Sequence, residues 1–240
     1  MFSKDTYKRR REALKQHFDS GLLFFMGNDE TGMNYADNTY HFRQDSSFLY
    51  YFGLNSPGLY ATIDLDSGID TIYGNDFTID QIVWTGTMPS IASLAAETGV
   101  ENTAPVSELE KKLSKVRNVH FLPPYRPEHQ LKLFRWFGIH PDEAAKKASI
   151  PLILAIAGQR NIKTEEEIVE IEKAVNTTVL MHRAALRFAR AGMTEAVVAA
   201  KVTQIALESG GQLAFPVIAT INGQTLHNHY HGNVIKEGQL

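Results

Sequence analysis

The chain has no cysteine among its 240 residues. That removes disulfides, thiolate nucleophiles and cysteine-held metals at once, and it suits a reducing compartment. Charge of one sign is also scarce. The formal net charge is −3, so neither a nucleic-acid nor an acidic-membrane partner is expected. Long hydrophobic runs are missing too. The longest, such as residues 150–157, fall far short of the ~20 apolar residues of a membrane span. The opening MFSKDTYKRRREALK is charged and has no apolar segment. No secretory signal is visible there, and a cytoplasmic location is expected. No glycine-rich phosphate loop, GxSxG or HExxH motif occurs, which leaves those nucleotide, serine-hydrolase and zincin chemistries without a carrier. There is no repeat at solenoid spacing and no low-complexity segment.

What is present is enough for a sizeable core. Apolar residues make up 43% of the chain, and the length suits one large domain or two smaller ones. Tyr7, Leu14 and Phe18 predict a helix over 4–18, with the basic run Lys8–Arg11 on its solvated faces. Gly21–Gly27 brackets a short apolar run and predicts a buried strand. Residues 28–38 are turn-rich and predict a loop. The aromatic run Phe48–Phe52, closed by Gly53, predicts a second buried strand, with Arg43 and Asp45 pairing or capping at its entry, or touching a substrate or a neighbouring subunit. Residues 59–65 and 69–73 predict strands joined through Asp66-Ser67-Gly68. Helices are expected near 78–84, 88–98 and 106–116, with Trp84 as a core or interface anchor. A strand is expected at 118–122. A helical stretch interrupted by Pro127 and Pro141 follows. Residues 150–157 predict a strand-like or extended run. This alternation indicates an α/β domain over 1–157, a mixed sheet with helices on both faces.

The texture changes after 158–161. Thr164 followed by three glutamates is a capping box. It opens a long amphipathic helix carrying Ile168, Ile171, Val175, Val179, His182 and Leu186 on one face. His182 on that face predicts a core histidine. A second helix is expected from Thr194 to Glu208, ended by Gly210-Gly211. Asn222-Gly223 then stands between two alternating runs, a hairpin signal. If Leu226 begins a strand, His227, His229 and His231 share one face. That spacing admits two readings: a metal site, since imidazoles two apart point the same way, or a polar, half-exposed strand. Carboxylates, which usually complete such a site, are sparse nearby. Glu237 is the nearest.

Several stretches resemble one known family in register along the whole chain. FRQDSSFLYYFGL at 42–54, the hairpin at 59–73 and WTG at 84–86 resemble the N-terminal domain of aminopeptidase P. NIKTEEEIVEIEKAV at 161–175 is similar to the start of that family's second domain, and Ala191–Glu195 resembles its G-x-T-E junction. FPVIATINGQTLH at 215–227 and KEGQL at 236–240 resemble the strand, turn, histidine and glycine-leucine elements that follow. The resemblance implies Xaa-Pro aminopeptidases, metallopeptidases of the pita-bread fold that remove an N-terminal residue preceding proline. The substrate would be a peptide with proline second, the assembly a homo-oligomer, dimer or higher. It implies two divalent metals, manganese above all, held by aspartates, a histidine and glutamates. A further histidine, not a ligand, hydrogen-bonds substrate or the tetrahedral intermediate.

Counting back from Gly238, that histidine matches His227, although Asn228 follows it where the family has tyrosine. His231 stands as a second substrate-binding candidate. The first ligand aspartate is expected just past Leu240. Residues 162–240 are therefore expected to be the incomplete first part of an α+β pita-bread domain, with no metal ligand and no activity of its own. Two alternatives stay open: a non-catalytic peptide- or protein-binding module of the same fold, and prolidase, the same chemistry on dipeptides.

Overall fold

The computed structural model describes residues 1–239. The chain divides into two compact units, Met1–Ile162 and Lys163–Leu240.

The first unit opens with helix α1 (Lys4–Lys15), capped by Ser3, whose side chain accepts from the Thr6 N–H. Strand β1 (Leu22–Met26) follows. A small exposed hairpin, β2 (Gly32–Tyr35) and β3 (Asn38–Thr39), occupies the segment expected to be a loop. Next come helix α2 (Ser46–Phe52) and strands β4 (Tyr60–Asp64) and β5 (Asp70–Tyr73). Two short helices, α3 (Ile79–Thr85) and α4 (Ile91–Glu97), lead to an unanticipated strand β6 (Asn102–Ala104). Helix α5 (Val106–Leu113), strand β7 (Val119–Phe121) and helices α6 (Pro127–Phe137), α7 (Pro141–Ala144) and α8 (Ile150–Asn161) complete the unit.

The sheet runs β6-β5-β4-β1-β7. Strand β4 pairs antiparallel with β1 and with β5, whereas β1–β7 and β5–β6 are parallel. It is therefore mixed, and the period of two along β1 splits the core between its faces. Leu23 and Phe25 join Phe48, Phe52, Leu152 and Ile156 on one side. Leu22 and Phe24 join Leu109, Phe121 and Leu133 on the other. The glycines bracket β1 as expected. The β4–β5 turn closes with Gly68 N–H on the Asp64 carbonyl at 2.8 Å and Gly68 at φ 74°.

Two expected strands are helices. For α2, Asp45 accepts from the Ser47 and Phe48 N–H groups at 2.9 Å each, and Gly53 ends the helix in the left-handed region. Phe48, Tyr51 and Phe52 are buried at helical spacing. A short aromatic run satisfies either period, and here the caps decide it. Likewise Ser149 caps α8, Pro151 sits in its first turn, and Leu152, Ala155 and Ile156 are buried together. Pro127 and Pro141 start helices rather than break one. Arg10 and Arg11 of the basic run are buried, not solvated. Trp84 is no core residue: it is 83% exposed on α3, which buries nothing.

The second unit holds helices α9 (Glu165–Phe188) and α10 (Glu195–Glu208). The capping box forms as expected, with Thr164 N–H donating to Glu167 Oε2 at 2.9 Å. The apolar stripe of α9 is exposed, Ile171 at 45% and Val175 at 53%, and His182 is exposed with it. The core role expected for His182 is not what the described residues show. No strand forms in 209–239. The hairpin expected around Asn222-Gly223 is absent, and the one bridge among the described residues of this unit is an isolated antiparallel one, Thr194–Val234. Two helices offer no sheet edge for the alternating runs to join, and a lone hairpin is marginal in water.

Candidate functional site

The histidine-bearing segment is anchored at the start of α10. Residues 192–196 and 231–235 exchange backbone hydrogen bonds. Gly192 N–H donates to Ile235 O at 2.8 Å, Ile235 N–H to Met193 O at 2.8 Å, and Ala196 N–H to His231 O at 3.0 Å. Thr194 stands at the N-cap but makes no side-chain cap bond. The polar work there passes to Glu195, which is 1% exposed. Its carboxylate accepts from Ile221 N–H at 2.7 Å and from the Asn233 amide side chain at 3.1 Å. Burial pushes the Glu195 carboxyl up, but the donors of Ile221, Asn233 and Thr220 together hold it below the ordinary glutamate value.

The three histidines do not share a strand face. His227 and His229 are exposed, and His231 is half-buried with Nε2 2.9 Å from the Val217 carbonyl. A tight turn, Thr225 N–H to Asn222 O at 2.8 Å, replaces the expected hairpin. Asn228 ties the far side of the loop back through Nδ2 to Thr220 Oγ1 at 3.1 Å. A mainly apolar cleft of about 1150 Å³ opens beside this loop, walled by α9, α10 and residues 209–221. His182, Met181, Val198 and Ile218 line it, but His227 and His231 do not.

Among the described residues no group of three or more histidine, aspartate or glutamate side chains converges to hold a metal. The His227–His229–His231 metal reading therefore loses its geometry. The residues described here do not fit a two-metal centre, so no chemical step is derived through one.

The first unit carries a second polar cluster, at the C-terminal end of β1. Gln44 of the RQDS stretch is buried, accepting through Oε1 from Asn28 N–H at 2.6 Å and Asp45 N–H at 2.9 Å. Lys132 donates to Asp29 and to the Tyr60 hydroxyl. Burial pulls the Lys132 ammonium down, yet Asp29 and Tyr60 leave it raised overall. His129 is buried with Nε2 3.0 Å from the Gly27 carbonyl, and burial pushes its pKa down. Asp45 spends its carboxylate on the α2 cap, so this stretch shows a structural role. The sequence places Glu195 only in a junction motif. An acidic residue in a first helical turn is too ordinary a signal to reveal its clasp.

Comparison with known proteins follows the two units. Residues 7–120 match the family described as aminopeptidase P, N-terminal domain, and residues 169–240 match metallopeptidase family M24. A probable Xaa-Pro aminopeptidase of Talaromyces stipitatus is 27% identical over 231 residues, covering 91% of this chain and 43% of that relative. Aminopeptidase PepP of Pseudomonas aeruginosa superposes with a TM-score of 0.83 at 20% identity, over 99% of this chain and 57% of that one. Zn-substituted Escherichia coli aminopeptidase P in complex with product gives 0.82 at 20% identity and the same coverage. At such identities the structural likeness is one of fold. The chain spans less than half the length of its Talaromyces relative. The first unit is thus similar to the aminopeptidase P N-terminal domain and the second to metallopeptidase family M24, in that order along one chain.

Proposed function

We propose that this chain is the N-terminal portion of a metal-dependent Xaa-Pro aminopeptidase, releasing an N-terminal residue that precedes proline. The observation that carries the reading is the order of the two family matches, residues 7–120 and then 169–240, within one chain. Its Talaromyces relative, named as a probable Xaa-Pro aminopeptidase, supports the same substrate class. The proposed domains are 1–157, of aminopeptidase P N-terminal type, and 162–240, the start of the pita-bread domain, with α8 carrying the first unit on to Asn161.

Two divalent metals, manganese by preference, would supply a metal-activated water and polarise the scissile carbonyl. Their ligands are assigned outside the residues described here. His227 is assigned to hydrogen-bond the peptide and the developing oxyanion, and its exposure on a loop leaves the ring available for that. His231 is the second substrate-binding candidate, although its Nε2 is engaged by Val217 O. A homo-oligomer is proposed on the exposed apolar face of α3, with Ile79, Val83 and Trp84. Lack of cysteine suits a cytoplasmic setting.

The experiment is a peptidase assay on an Xaa-Pro-Xaa tripeptide with manganese. The whole enzyme should turn it over in a chelator-sensitive way, and the 240-residue chain should not. Chelator-sensitive turnover by the 240-residue chain would place the ligands within it and overturn the division of labour. An inactive whole enzyme would overturn the function.

A further inference from the structure

We infer that Glu195 is a positioning residue for the histidine loop: one buried carboxylate holds both ends of residues 222–232, and His227 lies midway between them. The inference rests on the assignment of His227 made above.

Glu195 Oε1 accepts from Ile221 N–H at 2.7 Å, at the point where the loop leaves. Oε2 accepts from Asn233 N–H at 3.3 Å, where the loop returns. The Asn233 side chain spans both oxygens at 3.1 Å each. Glu195 itself is fixed by the first turn of α10, where its own N–H donates to Asn233 O at 3.0 Å. The helix dipole favours a carboxylate at that end.

The loop has little else to hold it. Leu226 is 77% exposed and Tyr230 is exposed, so apolar burial does not fix the tip. Asn228–Thr220 and His231–Val217 link loop residues to the segment just before Ile221. These contacts shape the loop but leave its placement on α10 to the Glu195 clasp and the strand-like contacts of 231–235. Without the carboxylate, the half-buried Ile221 N–H and Asn233 side chain lose their acceptor. The entry point is then free to move relative to the exit. A displacement of ~1 Å at a catalytic group can cost about 10²-fold in rate, which is how a residue that touches no substrate acts on turnover.

The test uses the whole enzyme with Glu195→Ala and Glu195→Gln. Gln keeps the shape and one acceptor oxygen but loses the charge, so it separates misplacement from misfolding. Hydrogen exchange of residues 221–233 should quicken by about tenfold or more in Glu195→Ala, less in Glu195→Gln, and stay unchanged in β1 and β4. Turnover should fall by about tenfold or more in Glu195→Ala with KM within about twofold and metal content unchanged, Glu195→Gln lying between. Unchanged exchange at 221–233 in both variants would overturn the clasp. Quickened exchange with unchanged kcat would overturn the positioning role. If the wild-type enzyme hydrolyses no Xaa-Pro peptide, the functional reading fails, and the exchange data still decide whether the clasp exists. If Glu195→Ala does not fold, Glu195→Gln carries both measurements.

Discussion

Arg11 donates through Nε to Asp70 Oδ2 at 2.7 Å, joining α1 to β5 with the guanidinium almost wholly out of water. The same group reaches Tyr51 O at 2.9 Å, Thr98 O at 3.1 Å and Gly99 O at 3.1 Å. One side chain thus ties a helix, a strand and two helix C-termini. Arg11→Met should destabilise the first unit by about 3 kcal/mol, because three carbonyls lose their buried donor and Asp70 is left with Lys15 alone, at 3.0 Å. Arg117→Met, at an exposed position, should stay within about 0.5 kcal/mol. Urea unfolding of both variants checks this. Equal midpoints would mean that the Arg11 network adds nothing.

His129 predicts a pH dependence. Burial sets its folded pKa below the ordinary 6.5, against the smaller opposing pull of the Gly27 carbonyl. Between that folded value and 6.5 the unfolded chain binds more protons, so stability rises with pH there. It should be fully present above about 6.5 and decline as pH falls through that value. Burial pushes His120 the same way. His129→Gln should flatten the slope. Chemical denaturation at several pH values between about 5.5 and 7.5 is the measurement. A stability that rises on acidification would refute the sign.

His227→Ala in the whole enzyme should lower kcat by about 10²- to 10³-fold while KM changes little, since a donor to the developing oxyanion acts mainly in the transition state. Metal content should be unchanged. Loss of metal in the variant would make His227 a ligand instead.

Trp84→Ser should leave the melting temperature nearly unchanged, because the ring is 83% exposed. It should shift the whole enzyme toward smaller species in sedimentation, because the apolar face of α3 loses its largest side chain. An unaltered mass distribution would remove α3 from the interface.

Legibility followed the strength of local signals. The capping box at Thr164, the bracketing glycines of β1 and the Asp66–Gly68 turn each act over a few residues, and each forms as expected. The runs 48–52 and 150–157 misled because a short apolar stretch fits a buried strand and a buried helix alike. Their caps, Asp45 with Gly53 and Ser149 with Pro151, were the better guide. The histidine strand failed for another reason. Alternation needs a neighbouring edge to become a strand, and two helices provide none.

By itself the sequence determined the chemistry available: no thiol, no phosphate loop, three histidines near the C-terminal end, and a family resemblance in register. It also determined where helices begin, because a cap is satisfied by its own first turn. Only the tertiary structure decided that β1 runs between β4 and β7, that Arg11 is buried under α2 and beside β5, and that Glu195 holds both ends of the histidine loop. Those contacts join residues far apart in the chain, and nothing in a local window records which distant donor a buried carboxylate will meet.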